Sequence, residues 1–313
     1  MKKILITGGN GNLGRLAAHR FLDNDIEVVC FDLPGTEPAS TREGQVVITG
    51  DIRDNDKLET TIKNHKPDVI CHLASLLSGS SELDLTASWE INATASFNLM
   101  KLAREHDVNR FFFASTAATY GAVDEDPMPE DYRQWPTGMY GATKVAVERL
   151  GYYFRTKHGL DFRCVRYPLV ISPYAPPSAV SAYPSHALLA ARRGESFVFP
   201  VQPDTGIGTI YLDDVVTSIA QFVLVAADQN RRPAYNLSAY YLTAEMAALT
   251  ARQRFPQFEY SFEPDPVVDD TMRGWPDQID DTAARNDWGW QPECDFEESV
   301  NRLLKLVESS EQS

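Results

Sequence analysis

Cysteine is scarce in this chain and widely scattered: Cys30, Cys71, Cys164 and Cys294 include no Cys-x-x-Cys pair. That spacing excludes a zinc ribbon or a redox dithiol. Cys30, Cys71 and Cys164 lie in or beside apolar runs, which reads as free buried thiols in a reducing compartment. Basic charge is short as well. Against 44 Asp and Glu there are 29 Lys and Arg, a net charge of −15. An acidic surface argues against nucleic acid or an anionic membrane as a partner. Long apolar runs are missing, since no stretch approaches the roughly 20 apolar residues of a membrane span. Met1-Lys2-Lys3 imitates a signal-peptide start, but the run Ile4-Leu5-Ile6 is too short for an h-region. A cytoplasmic location is the expectation. There is no internal repeat, no low-complexity tract and no His/Asp/Glu cluster that suggests a metal, so none is expected.

What is present is an ordinary globular balance, 43% hydrophobic and 23% charged over 313 residues. That length suggests one α/β unit with a smaller lobe, or two domains. Short apolar runs alternate with helical patterns through the first half. Strands are expected at 3–7, 27–32, 46–49, 69–73, 110–115 and 161–166. Helices are expected at 13–23, 54–64, 86–106 and 140–158. Near-continuous apolar strands alternating with helices imply a parallel sheet covered on both faces. Past Tyr167 the pattern changes. Residues 168–184 are proline-rich and read as a loop into another lobe. A helix at 186–193, strands near 197–201, 209–212 and 234–238, and helices from 213, at 243–254 and at 296–307 follow. Residues 275–290 are rich in Asp and Trp and show no period.

The first strand runs into Thr7-Gly8-Gly9-Asn10-Gly11-Asn12-Leu13-Gly14. Glycines three apart permit a tight turn and close backbone approach to a pyrophosphate. The helix that follows offers free N–H groups and positive dipole to the anion. A glycine triplet alone is weak evidence, but the context is complete: strand before, helix after, an acidic residue about 20 positions on. That residue, Asp32, accepts from both ribose hydroxyls and repels a 2′-phosphate, so NAD is favoured over NADP. Asp51, after the third strand, reads equally as an adenine contact or as the N-cap of the next helix.

Tyr140 and Lys144 sit at i and i+4, on one helix face one turn apart. An ammonium beside a phenol favours the phenolate and lowers its pKa. A tyrosine that ionises near neutrality can take a proton from an alcohol. By chance alone Tyr-x-x-x-Lys is common. Two features add weight: Ala114-Ser115-Thr116-Ala117 closes the fifth strand at its carboxyl end, and the pair opens the next helix at that same edge, where open α/β sheets bind ligands. Thr116 stands where a substrate hydroxyl would meet it.

Together these segments resemble the extended short-chain dehydrogenase/reductase family, within the NAD-dependent epimerase/dehydratase group. Thr7–Gly14 resembles its glycine motif and Asp51-Ile52-Arg53 its adenine contact. His72-Leu73-Ala74 resembles its fourth-strand motif, Ser115–Gly121 its Ser/Thr motif, Tyr140–Lys144 its Tyr-x-x-x-Lys motif, and Tyr167-Pro168 the segment near the nicotinamide. The resemblance spans essentially the whole chain. It implies a Rossmann-type doubly wound parallel sheet over 1–167, with 209–240 returning to it. A smaller C-terminal substrate-binding lobe takes 168–208 and 241–313. It implies Tyr140 as general base, Lys144 as pKa modulator and ribose anchor, and Thr116 as the residue that positions the alcohol. NAD would be held by the loop residues Gly8, Asn10, Gly11, Asn12, Leu13 and Gly14, by Asp32, Asp51 and Ile52, and by Leu73, Ala74 and Ser75 after the fourth strand. Asn92, Tyr140, Lys144 and Tyr167 complete that set; for Asn92, a locally bonded helix residue is an equal reading. His72 reads as a packed strand-end histidine.

Residues 235–239 and 275–290, with Leu76-Leu77-Ser78-Gly79, look like the short-chain type of L-threonine 3-dehydrogenase. The substrate side would then take Ser78, Thr116, Tyr140, Ser181 and Tyr183. One departure stands out: where that type carries an acid beside its retained tyrosine, this chain has Ala182 in Val180-Ser181-Ala182-Tyr183. His186 and Arg192 lie nearby, and a cation there would favour a hydroxy acid without an amino group. The leading expectation is NAD-dependent oxidation of a small secondary alcohol, L-threonine or a related β-hydroxy acid. The alternatives are a nucleotide-sugar epimerase or dehydratase with tightly held NAD, and a non-catalytic NAD-sensing interaction protein. By resemblance, the two long helices 86–106 and 140–158 would form a homodimer interface.

Overall fold

A computed structural model describes residues 1–38, 40–176 and 179–311. The chain folds into two compact units. The first comprises Met1–Thr119, Gly138–Arg166 and Val216–Tyr235; the second comprises Tyr120–Thr137, Tyr167–Val215 and Asn236 onward.

The first unit is built on a seven-stranded sheet. Its strands are β1 (Lys3–Thr7), β2 (Glu27–Asp32), β3 (Gln45–Thr49), β4 (Val69–His72), β5 (Arg110–Thr116), β6 (Asp161–Tyr167) and a short last strand, Tyr235–Asn236. The order is β3-β2-β1-β4-β5-β6 and then Tyr235–Asn236, and the pairings from β3 through β5 are parallel. Consecutive buried residues in Ile4-Leu5-Ile6, Val69-Ile70-Cys71 and Phe111-Phe112-Phe113 show why: these strands are covered on both faces. One core cluster joins Leu5, Phe31, Ile70 and Phe111 to Leu99, Val147 and Phe162. Each fully buried side chain of that size contributes about 1.5–3 kcal/mol. Strand order reverses between β1 and β4, which opens a crevice beyond their carboxyl ends.

Helices Asn12–Leu22 and Asn55–His65 follow β1 and β3. Asp54 caps the second by accepting from Lys57 N at 3.0 Å. Asp51, read as a possible cap, is not one: its carboxylate takes the Arg53 backbone N–H at 2.8 Å and the guanidinium at 2.6 Å. The long helix expected at 86–106 is broken into Leu85–Ser88, a π-helical stretch Trp89–Thr94, and Ala95–Glu105. A π turn shifts the face that follows it and often marks a functional site. Helix Met139–His158 runs 20 residues and ends on Gly159 in the left-handed region.

The second unit carries a three-stranded sheet of Leu169–Ile171, Gly206–Tyr211 and Tyr240–Thr243, and a pair, Phe197–Phe199 with Tyr260–Phe262. The proline-rich segment thus holds a strand, and the stretch 275–290 holds a helix, Thr282–Trp288. That helix is too short to show a period. Trp290 is wholly buried and its indole N–H bonds Asp281 at 3.0 Å. No helix among the described residues is long and apolar enough to cross a membrane.

Candidate functional site

The glycine loop leaves β1 with Gly8 at φ +70°, a conformation that favours glycine. A Cβ there would sit 2.8 Å from Ala74 N, so the loop after β1 and the loop after β4 approach backbone to backbone. At Gly14, a Cβ would collide with the Gly8 carbonyl oxygen. The turn and the first helix therefore close only with glycine at both places. Asn12 and half-buried Leu13 open that helix.

Asp32, at the end of β2, turns into this loop. Its Oδ2 accepts from Asn10 N at 2.9 Å and Gly11 N at 3.2 Å, while Oδ1 accepts from Leu33 N at 2.8 Å. The carboxylate thus organises the loop amides as well as facing outward. Asn10 Oδ1 is buried without a hydrogen-bond partner. Buried polar atoms are nearly always paired, so this acceptor fits a ligand with donors to offer. The cradle of glycine backbone, the helix N-terminus and this orphan acceptor suit a dinucleotide. Ile52 is buried beside Asp51, whose carboxyl Arg53 holds below the ordinary range.

Beyond β4, Leu73, Ala74 and Ser75 are half-buried. Asn92 clamps this loop. Its Oδ1 accepts from Leu76 N at 2.8 Å and Ser75 Oγ at 3.2 Å, and its Nδ2 donates to Leu76 O at 3.1 Å and Thr143 Oγ1 at 3.3 Å. Every one of these partners is distant in sequence, so the reading of Asn92 as a locally bonded helix residue is set aside. The π stretch places it; nothing in the local sequence announces that.

Helix Met139–His158 brings Tyr140 and Lys144 to the end of β5. Lys144 is buried, with Nζ donating to Ala114 O at 2.9 Å and lying 4.6 Å from the Phe113 ring centroid and 5.4 Å from that of Tyr140. Burial pushes its pKa down to about 8, opposed by the Glu148 carboxylate. The phenol of half-buried Tyr140 is pushed up by desolvation. That is the reverse of the depression expected from the lysine alone. The cause is burial of the phenol; the ammonium bonds the strand carbonyl and lies over the ring. Thr116 closes β5 with Oγ1 accepting from Ala118 N at 3.2 Å, which leaves its own proton to donate.

Three features behind this corner were not singled out in the sequence. Glu148, one turn past Lys144, is buried; it accepts from Ser115 Oγ at 2.5 Å and pairs with buried Arg166 at 2.7 Å. Its i+4 spacing from Lys144 was the available signal. Thr143 bridges Asn92 to the Tyr140 carbonyl, to which it donates at 2.8 Å. Glu82 accepts from Met139 N at 2.7 Å, a tie with no sequence signature. His72 packs as read. Its nitrogens meet Thr7 Oγ1 at 2.6 Å and Ser96 Oγ at 2.8 Å, and burial and Lys144 push its pKa down to about 3.

Ser78 is half-buried at the start of a helix, Ser78–Leu83. The remaining expected positions lie in the second unit. Tyr167 is buried as the last residue of β6, the residue at which the chain passes from the first unit to the second. Ser181 and buried Ala182 form a short turn ahead of helix Tyr183–Arg193. Tyr183 is 2% exposed, packs edge-on against Phe199, and has a buried hydroxyl without a hydrogen-bond partner. Arg192 is ion-paired to Glu308 at 3.2 Å, and His186 Nε2 meets Ala175 O at 3.2 Å.

Comparison with known proteins bears on this arrangement. The family model described as the NAD dependent epimerase/dehydratase family matches residues 4–238. An uncharacterised epimerase/dehydratase of Staphylococcus saprophyticus is 31% identical over 100% of this chain and 99% of its own. The mitochondrial L-threonine 3-dehydrogenase of Bos taurus is 30% identical over 97% of this chain and 82% of its own. The solved L-threonine dehydrogenase of Clostridium difficile superimposes with a TM-score of 0.92 at 28% identity, covering 99% of this chain and 98% of that one.

Proposed function

This chain belongs to the NAD dependent epimerase/dehydratase family, and on that premise we propose that it oxidises L-threonine or a related β-hydroxy acid to the ketone, with NAD as hydride acceptor. The observation that carries the reading is the corner at the end of β5, where the buried Lys144 cation lies over the Tyr140 ring and bonds Ala114 O, two residues before Thr116. The threonine dehydrogenases among its relatives and solved neighbours support the substrate class.

Gly8, Gly11 and Gly14 would hold the pyrophosphate of NAD near the helix N-terminus, with Asn10, Asn12 and Leu13 lining that turn. Asp32 accepts from the ribose hydroxyls, which selects NAD over its 2′-phosphate. When bound, NAD supplies the hydride acceptor and a further positive charge. Thr116 donates to the alcohol oxygen and orients it. Tyr140 Oη takes the hydroxyl proton. Burial disfavours its phenolate, so the offset to that desolvation would come from the positive charge of bound NAD added to the Lys144 ammonium over its ring. One proton and one hydride leave the carbinol; from threonine the product is 2-amino-3-oxobutanoate. Ser78, Ser181 and Tyr183 are the positions that the resemblance assigns to the substrate, and Ala182 lacks the carboxylate that the threonine dehydrogenase type carries there.

The test is NADH formation against threonine, serine, β-hydroxy acids, sugar acids and nucleotide sugars. Tyr140→Phe is expected to lower kcat by about 10²- to 10⁴-fold, the usual contribution of general acid–base catalysis, with NAD affinity kept. Near-wild-type turnover by that variant would refute the mechanism. Cofactor retained through purification, with no net NADH from any alcohol, would favour a nucleotide-sugar epimerase or dehydratase instead.

A further inference from the structure

The segment that carries Ser78 is pinned at both ends, and both pins run to the helix that carries Tyr140. At one end Asn92 grips Leu76 through its N–H and its C=O, and reaches Thr143 at 3.3 Å. At the other end Glu82 accepts from Met139 N at 2.7 Å. Ser78 lies between Leu76 and Glu82; Tyr140 lies between Met139 and Thr143. Helix Met139–His158 has no cap of its own: Gly138 at the N-cap offers no side chain, and no acid lies in the first turn. The carboxylate that meets its free N–H and positive end comes from a different element, across a sequence gap of 57 residues.

We infer that Glu82 is a positioning residue, the second of two clamps that hold the Ser78 segment in register with Tyr140. The inference rests on the proposed role of this corner in alcohol oxidation, and it adds a determinant that touches neither cofactor nor alcohol. A cap serving helix stability alone would come most simply from Ser, Thr or Asp at position 138. Here the cap is supplied from the segment that needs placing. Glu82 is exposed, so truncating it opens no buried hole.

That contrast supplies the experiment. Glu82→Ala removes both cap and clamp. Adding Gly138→Ser restores a local cap and leaves the clamp broken. The backbone at Gly138, φ −116° and ψ 155°, suits serine. The Glu82 oxygen that a Cβ would approach to 3.1 Å is gone in this background. In Glu82→Ala, amide exchange across 77–84 is expected to accelerate at least tenfold. The kcat/KM for the alcohol is expected to fall by about ten- to a hundredfold, the scale of a misplaced site, with NAD affinity unchanged. The double variant should recover the melting temperature and regain neither the exchange protection nor kcat/KM, while Glu82→Gln, which keeps the acceptor, should retain most of both. Recovery of protection and kcat/KM by Gly138→Ser would reduce Glu82 to a helix cap and overturn the inference. So would unchanged exchange across 77–84 in Glu82→Ala. Exchange is independent of the substrate assignment: a wild type inert toward every alcohol, with Glu82-dependent protection intact, would end the functional reading and leave the clamp standing.

Discussion

Lys144 is a buried cation that donates a hydrogen bond to a backbone carbonyl. Burial lowers its pKa to about 8 from an ordinary value of 10.5, so the ammonium is mostly intact at neutral pH and lost above pH 8. The same depression sets a stability sign: the cost of burying the charge is full below about pH 8 and is relieved as pH rises toward 10.5. For activity the expectation is a break near pH 8 in kcat/KM, which reports groups of the free enzyme. Lys144→Arg keeps the charge and should carry that break out of the accessible range. A profile with the same break in both proteins would assign it to another group. The i, i+4 relation of Tyr140 and Lys144 was legible in the sequence because helical periodicity is local. The raised phenol pKa was not, because it depends on how deeply the tertiary structure buries the hydroxyl.

Elements decide how firmly that corner is held. Glu148 and Arg166 form a buried ion pair between helix Met139–His158 and β6, with Ser115 of β5 donating to the same carboxylate. One interaction therefore ties three elements just behind Lys144. Removing a single partner leaves an uncompensated buried charge. Glu148→Gln is expected to cost about 3–5 kcal/mol, and Glu148→Gln with Arg166→Met to regain most of it. Urea unfolding midpoints would show this, and a single variant as stable as the wild type would remove the pair from the account. The broken helix around Asn92 belongs to this scale as well. Apolar periodicity across 86–106 marks helix correctly, but the π stretch answers to the Leu76 loop it must reach, and that loop lies 16 residues away. The cap of helix Asn55–His65 falls on Asp54 rather than Asp51 for a local reason: the Arg53 side chain turns back and occupies Asp51.

At the scale of the molecule, an acidic NAD-dependent oxidoreductase carries conspicuous rings on one unit. Trp89 and Phe97 on the 85–105 helical run, and Tyr152 and Tyr153 on helix Met139–His158, are 37–49% exposed. Phe97 lies 6.0 Å from Phe154 between centroids, and Tyr153 lies 5.8 Å from the same ring, so Phe97 and Tyr153 flank one contact between the two helices. The homodimer expected by resemblance would use this face. Light scattering of the wild type should then give twice 35.0 kDa, and Phe97→Glu with Tyr153→Glu should give a monomer that still binds NAD. A wild type that is monomeric at micromolar concentration would dismiss the interface.

What the sequence determined by itself is whatever short-range pattern controls. Unbroken apolar runs specify strands buried on both faces, and three-residue glycine spacing after β1 specifies a turn that only glycine closes. The positions of Asp32, Thr116, Tyr140 and Lys144 follow from strand ends and one helical turn. Tertiary structure alone decided the contacts that cross long gaps: Asn92 on the Leu76 loop, Glu148 on Arg166, Glu82 on Met139. It also decided the direction of each pKa shift in the corner. Burial and the aim of a hydrogen bond are properties of packing, and no local pattern encodes which distant carbonyl or carboxylate a side chain will meet.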